Sequence, residues 1–463
     1  MKKTDHMPDR PSCWRRRAAA AAVGAALLAG CGGGKDDVYS PLPPLPGIAC
    51  STLDERAWLD AYFDEWYFWY RQAPNPNPAR DMSLGEFFEA SLYAGNDPEF
   101  PRADRWSYIE STADYDRFFS DGRLLGYGVY LAGLETQADP ARPLRVRYVE
   151  PLSDAAAQGV QRGDRIVSVN GRTAAEIVAA DDYGIFTPSA EGQRLALVLD
   201  NGNGQRTVNL RANAFALSPV TGARVLQTPQ GRRMGYLHVK DLISQAESGI
   251  AAAFADFRAQ GVQELAIDLR YNGGGLVSLS RTLASYVSAG RTRSQTFARL
   301  RFNDKLARDH DESFRFDNPP AALGLSRVYV LAGPRTCSAA ELVINGLKPF
   351  VDVVVVGATS CGKPVGFQPV SRCDSTFNVV NFESVNAAGQ GRYWDGLSPS
   401  CPVAEDFGKP LGSADEPLLA AAQGHADGGG CPAASASDTV LRRALRPGAA
   451  RGEPAERQGM WAR

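Results

Sequence analysis

The clearest periodic signal lies near residues 52–70. Leu59, Tyr62, Phe63, Trp66, Tyr67 and Tyr70 recur at helical spacing, which places them on one buried face of an amphipathic helix. Thr52 followed by Glu55 reads as its capping box. A shorter helix is predicted over 83–93, with Ser83 and Glu86 as a second box. From residue 120 the pattern changes. Strand-like stretches at 144–148, 165–169, 194–199 and 207–210 are divided by Gly, Asp and Asn turns. From 220 to 410, strand-like runs (234–239, 265–269, 328–331, 353–357) alternate with helical patterns at 244–259 and 276–287. Ser244 with Glu247 reads as the box that starts the first of these. Such alternation implies a mixed or parallel sheet covered by helices. The expected fold is multidomain: a helical N-terminal domain (51–115), a β-rich domain (120–215) and an α/β core (220–410). A C-terminal segment (411–463) follows. Its Ala, Arg, Gly and Pro content predicts disorder from about 433.

Composition narrows the class. The chain has 463 residues, 44% hydrophobic and 22% charged, which suits several packed cores and excludes wholesale disorder. No run of eighteen apolar residues follows position 30, which excludes a polytopic membrane protein. Net charge is −2, and no basic tract interrupts the mildly acidic body, so nucleic acid is not expected as a partner. The first thirty residues read as an export signal: Arg15-Arg16-Arg17, then a short apolar stretch at 18–28. Leu28-Ala29-Gly30-Cys31 resembles the lipobox of bacterial lipoproteins. That resemblance implies a lipid-modified Cys31, a tether over 31–50 and a place on the periplasmic side of a membrane. Gly32 after the cysteine favours the outer membrane. The alternative is an ordinary signal peptide with a chance cysteine.

Cysteine use agrees with export. Without Cys13 and Cys31, six remain for an oxidising compartment, and their pairing is open. Cys361 and Cys373 are close enough in sequence to staple a hairpin. Cys401 and Cys431 could tie down the C-terminal segment. There is no CxxC pair or His/Cys cluster, so neither a zinc site nor any other cofactor is expected.

Three segments carry candidate chemistry. In Asp268-Leu269-Arg270-Tyr271-Asn272-Gly273-Gly274-Gly275, between a strand and a helix, glycines free backbone N–H groups to face a cavity. No Gly-Lys-Ser/Thr follows, so it is not a P-loop. In Pro334-Arg335-Thr336-Cys337-Ser338-Ala339-Ala340-Glu341-Leu342, Ser338 starts a helix running to about Leu347. It reads equally as a nucleophile or as a plain N-cap. Cys337 beside it reads as a disulfide or packing residue. In Gly357-Ala358-Thr359-Ser360-Cys361-Gly362-Lys363-Pro364-Val365-Gly366-Phe367, a lysine follows a buried strand. Desolvation there would lower its pKa and make it a general base, whereas in an open loop it would be an ordinary solvated cation.

The β-rich segment opens with Gly126-Tyr127-Gly128-Val129. Val149-Glu150-Pro151-Leu152-Ser153-Asp154-Ala155-Ala156-Ala157, Gly163-Asp164-Arg165-Ile166 and Val169-Asn170-Gly171 follow. This series resembles a PDZ domain with a β-sandwich or barrel-like fold. By that resemblance Gly126, Tyr127, Gly128 and Val129 would bind a peptide terminus, the peptide adding as a strand to the sheet edge, unless the groove is closed. Together with the three loops, the chain resembles the C-terminal processing (tail-specific) peptidases, which couple a PDZ domain to an α/β serine protease with a Ser/Lys dyad. Ser338 and Lys363 fall at the family positions, separated by 25 residues. The resemblance implies that Ser338 is the acylating nucleophile, Lys363 its base, and the N–H groups of Gly274 and Ala339 the oxyanion hole. Glu341 also matches and reads as structural. Many members carry a glutamine four residues after the lysine to orient it. Here that position is Phe367 and Gln368 lies one later, so either the loop bulges and Gln368 orients the lysine, or another group does.

The histidines assemble no triad: His238 reads as a core residue, His310 as part of a solvated stretch over 303–317, and His425 lies near the tail. The leading expectation is a lipid-anchored serine endopeptidase acting on exported proteins, with peptide substrates held by their C-termini and an adaptor protein as a candidate partner. Relatives that bind retinoids keep open a non-catalytic peptide- or lipophile-binding protein on the same fold. A latent protease that needs a PDZ ligand is the third reading.

Overall fold

A computed structural model describes residues 50–132, 143–180, 182–433 and 459–462. The signal segment, Cys31, its tether and most of the segment placed in disorder lie outside the described residues. No helix among the described residues is long and apolar enough to cross a membrane.

The first helix spans Thr52–Trp66. Its cap is Ser51 rather than Thr52: Ser51 is extended, and its hydroxyl accepts the Asp54 N–H. The second, Leu84–Ser91, keeps both bonds of the Ser83/Glu86 box. The aromatic stripe is buried at Tyr62, Phe63 and Tyr67, joined by Trp69, Phe87, Phe88 and Tyr93. These residues share one apolar cluster with the α/β core, so the helical segment has no separate interior. A strand pairing and a disulfide are among the long-range ties that hold it there. Tyr108–Ser111 pairs antiparallel with Ser375–Asn378, and Cys50 is bonded to Cys373. Cys361 and Cys373 are therefore not partners. Cys361 is bonded to Cys337, while Cys401 and Cys431 do pair.

Residues 120–215 enclose their own core around Leu131, Val146, Ile166, Val169, Leu195, Leu197 and Leu199. Arg172–Thr173, Arg165–Val169, Arg194–Asp200 and Gln205–Arg211 form a four-stranded antiparallel sheet in that order. Along Arg194–Asp200 the leucines point inward at every second position, as a half-buried strand requires. Val129–Leu131 pairs with Val146–Val149, and Arg123–Gly126 with Asn213–Ala216.

The α/β part has two sheets. The first contains β1 (Val220–Gln227), β2 (Arg233–Val239), β3 (Glu264–Asp268), β7 (Arg327–Ala332), β8 (Asp352–Gly357) and β11 (Cys401–Pro402), adjacent in that order. β1 is antiparallel to β2, and the remaining pairs are parallel. The second runs β4 (Gly274–Leu276), β12 (Gly459–Trp461), β9 (Val365–Phe367), β10 (Val380–Asn386), β5 (Thr296–Phe302) and β6 (Glu312–Arg315). β12 is a short strand within the segment expected to be largely disordered. Its three residues gain their conformation from pairing with strands distant in sequence, which composition cannot reveal. Helices α1 (Ala246–Ala259), α2 (Val277–Ser288), α3 (Ala339–Leu347) and α4 (Pro417–Ala426) complete the layers. α1 begins at Ala246 with no side-chain cap, so the Ser244/Glu247 box does not form. α3 is buried at every position and packs against strands of both sheets.

His238 is buried, with Nδ1 2.8 Å from Thr221 Oγ1. His310 is not in a solvated loop. It ends the short helix Ala307–His310, with its ring on Trp66 and Phe302. His425 lies on α4 beside Tyr329.

Candidate active site

Every motif loop leaves the first sheet at the C-terminal end of a parallel strand. After β7 the chain turns through Gly333, whose N–H donates to Thr336 Oγ1, and Thr336 Oγ1 donates to the Leu269 carbonyl. Cys337 N–H donates to the Asn272 carbonyl at 2.9 Å. The nucleophile loop is thereby laid against the glycine loop. Ser338 follows at φ +58°, ψ −116°, a conformation that costs about 1–3 kcal/mol for a residue with a Cβ. It is fully buried at the head of α3. Its Oγ has no hydrogen-bond partner among the described residues, so it is not hydrogen-bonded to Lys363.

The lysine loop follows β8. Lys363 is fully buried, with Nζ 3.9 Å from the centroid of the Phe367 ring. Burial pushes its ammonium well below the ordinary lysine value. Asp104 and Glu341 pull the other way, and Arg105 adds to the depression. A lysine so placed takes up a proton less readily than one in water, as a general base near neutral pH requires. Phe367 thus lies against the amine. The Gln368 backbone is held next door, its N–H donating to Asn381 Oδ1 and its carbonyl accepting from the Tyr62 hydroxyl.

Glu341 joins the two loops. Its Oε2 accepts the N–H groups of Ser338 (2.8 Å) and Lys363 (2.9 Å), and its Oε1 accepts that of Gly362 (2.9 Å) and the Ser360 hydroxyl. Burial raises its carboxyl above the usual range, and these four bonds pull against that rise. The Cys337–Cys361 disulfide makes the same connection covalently. Cys337, Cys361 and Glu341 lie close together, but the thiols are spent on each other.

The glycine loop is anchored by charge. Burial opposes ionisation of Asp268, yet the Arg270 guanidinium at 2.6 Å holds its carboxyl down at about 2. Arg270 also reaches Glu416 at 2.7 Å. Asn272 Nδ2 donates to the Val239 carbonyl, and Asn272 Oδ1 accepts the Gly274 N–H at 2.8 Å. The candidate oxyanion donor Gly274 is therefore engaged in this conformation, and that bond must open before it can hold an oxyanion. Ala339, the other candidate donor, is the first residue of α3. Gly275 has to be glycine: a Cβ there would lie 2.2 Å from the Leu242 carbonyl oxygen.

Gly126, Tyr127, Gly128 and Val129 are placed in the β-rich part, not with Ser338. Tyr127 is buried in that core, and Gly128 (φ +80°) lies tight against Ser153. The strand after them nevertheless reaches the site's surroundings. The Leu131 carbonyl accepts from Arg335 Nη2 at 3.3 Å, three residues before Ser338, and from Arg147 Nε at 2.6 Å. Arg147 lies over the rings of Tyr130 and Tyr271. Sequence reasoning missed Arg335, Asp104 and Arg105, none of which has a local signature. The bridging role of Glu341 was legible only as its place in the motif.

The model of peptidase family S41 matches residues 233–393, and that of the peptidase S41 N-terminal domain matches residues 54–108. The matched core, residues 233–393, belongs to peptidase family S41. Members of that family are serine-type peptidases. This S41 chain is 24% identical over 234 residues to a carboxyl-terminal-processing protease of Picosynechococcus, covering 50% of this chain and 53% of that one. It is 21% identical over 268 residues to the carboxy-terminal processing protease CtpB of Bacillus subtilis, covering 56% and 53%. The chain thus spans about half the length of the curated relatives it matches. A solved structure from Bacteroides fragilis assigned to the S41 proteases superposes with a TM-score of 0.63 at 25% identity, covering 80% of this chain and 97% of that one. The fold of this S41 chain is thus a multidomain α/β protease fold with mixed sheets.

Proposed function

We propose that the protein is a serine endopeptidase of the C-terminal processing type, with Ser338 as nucleophile and Lys363 as general base. The observation that carries this reading is a buried lysine of depressed basicity, held to the backbone of a strained serine through one carboxylate, Glu341. In the proposed reaction Ser338 Oγ bonds to the scissile carbonyl carbon while its proton passes to Lys363 Nζ. The Ala339 N–H and a released Gly274 N–H hold the oxyanion, each worth about 2.7–4 kcal/mol in the transition state. The C–N bond breaks as Lys363 gives the proton to the leaving amine. Neutral again, Lys363 takes a proton from water, whose oxygen attacks the acyl carbon. The acyl C–Oγ bond then breaks as Lys363 gives that proton to Ser338 Oγ, which releases the new carboxylic acid and frees the enzyme. Gln368 stays the candidate for orienting Lys363.

Export, lipid attachment at Cys31 and a periplasmic location complete the proposal, resting on the N-terminal sequence alone. The β-rich part is proposed as a PDZ domain that offers Gly126–Val129 to peptide ends, and an adaptor is a candidate ligand for it. Two observations favour a latent resting form: the unbonded Ser338 hydroxyl and the engaged Gly274 N–H. The test is casein hydrolysis, with and without added C-terminal peptides. Ser338→Ala and Lys363→Ala should each lower the rate at least about a thousandfold. Unchanged hydrolysis in Ser338→Ala would refute the mechanism. Peptide binding without hydrolysis under any condition would favour the binding protein.

A further inference from the structure

Among the described residues, the second sheet is continuous only through β12. On one side β12 runs parallel to β4, with Gly459 beside Gly274, Met460 beside Gly275 and Trp461 beside Leu276. On the other it runs parallel to β9, with Trp461 beside Phe367, and the Ala462 N–H donates to the Phe367 carbonyl at 3.2 Å. β4 carries the candidate oxyanion glycine, and β9 begins two residues after Lys363. α3, headed by Ser338, packs against both β4 and β12. Gly459–Ala462 therefore lies as an extended segment between β4 and β9.

The flanking strands suit a guest backbone. β4 and β9 are not paired to each other, so the gap they leave is one strand wide, with edges about 10 Å apart. Such a gap offers hydrogen bonds on both sides to any extended chain, whatever its sequence. Gly366 has no side chain where the guest passes: a Cβ there would lie 2.3 Å from the Phe382 ring and 2.5 Å from the Met460 carbonyl oxygen. The guest's alternate side chains face inward. Met460 is 0% exposed and Ala462 8%, both within the main apolar cluster.

We propose that the cleft between β4 and β9 is the site for the substrate strand, and that Gly459–Ala462 fills it as a built-in pseudosubstrate that an incoming peptide must displace. This rests on the protease reading above. The cleft accepts an extended chain with an unbranched apolar residue and, two positions on, a small one. A covalently attached occupant competes at an effective concentration up to the order of millimolar, so only chains with the tail withdrawn bind substrate.

The test uses full-length protein in detergent with a site-specific protease recognition sequence inserted after Pro447. It is compared uncut and after cutting, the released fragment being removed by gel filtration. Two readouts are taken. Casein hydrolysis should rise about tenfold or more in kcat/KM on cutting. A fluorescein-labelled peptide of residues 457–463 should bind the cut Ser338→Ala form by anisotropy and fail to bind the uncut form. Met460→Glu without any insertion should reproduce both effects. Labelled peptide that binds only cut protein, with no casein hydrolysis anywhere, would sink the protease reading and leave the cleft assignment standing. Casein hydrolysis equal before and after cutting, with no peptide binding to either form, would overturn the pseudosubstrate.

Discussion

Cys337 and Cys361 are joined in a disulfide, which bonds the residue before Ser338 to the residue two before Lys363. The two halves of the candidate dyad come from different strands of the first sheet, β7 and β8. The bond fixes the relative position of their loops at the point where a small shift would matter most. With its ends 24 positions apart in sequence, it should stabilise the fold by about 3 kcal/mol in the chain-entropy model. Reduction, or Cys337→Ala with Cys361→Ala, should lower Tm by several degrees. It should also reduce kcat more than it raises KM. Identical kinetics in the double variant would show that Glu341 alone sets the loop positions.

Glu341 is the second connection. A glutamine at 341 presents an NH2 group where the carboxylate accepts N–H groups from Ser338, Gly362 and Lys363. Leaving buried donors facing another donor costs about 1–3 kcal/mol. Glu341→Gln should therefore be less stable by that order in urea unfolding and should lose kcat with little change in KM. A variant that lost stability and kept its kcat would reduce Glu341 to scaffolding.

The contact between the β-rich part and the core contains a buried carboxyl with a separate pH signature. Burial pushes Glu150 up to about 7, partly offset by Lys240 and reinforced by Asp241. A carboxyl that holds its proton more tightly when folded contributes stability that is complete below its ordinary value of 4.5 and is lost as pH rises through about 7. The loss is about 3 kcal/mol. His238 behaves in the opposite sense: burial holds it at about 4, so its contribution is lost as pH falls. Glu150→Gln removes the first effect alone. The stability gap between this variant and the wild type should widen in the variant's favour from pH 5 to pH 8 in chemical denaturation. A gap that stays constant would mean the carboxyl is not buried as described.

The sequence revealed most where chemistry or periodicity is local. β2, β3, β7, β8 and the start of α3 fall within a residue or two of the predicted elements, because apolar runs between turn signals and a serine at a helix head are short-range patterns. The caps were less legible: Ser51 displaces Thr52, and the Ser244 box does not form. Hydroxyl spacing alone does not say which residue turns extended. Long-range partners were not legible at all. Cys50 meets Cys373 across 323 residues, and no spacing rule anticipates that. The same holds for Asp104 beside Lys363, for Arg335 on the Leu131 carbonyl, and for β12, a three-residue strand within a stretch whose composition signals disorder. Each depends on tertiary packing that brings distant segments together.

The most direct test of the account is kcat/KM on fluorescent casein from about pH 5 to about pH 10 for the wild type, Ser338→Ala and Lys363→Arg. Burial depresses the Lys363 amine, and the neutral form is the base. Wild-type activity should therefore rise with pH through an apparent pKa well below that of an ordinary lysine. Ser338→Ala should be inactive throughout. Lys363→Arg should be inactive as well, since a guanidinium does not deprotonate in this range. Full hydrolysis by Ser338→Ala, or a wild-type profile retained in Lys363→Arg, would contradict the dyad.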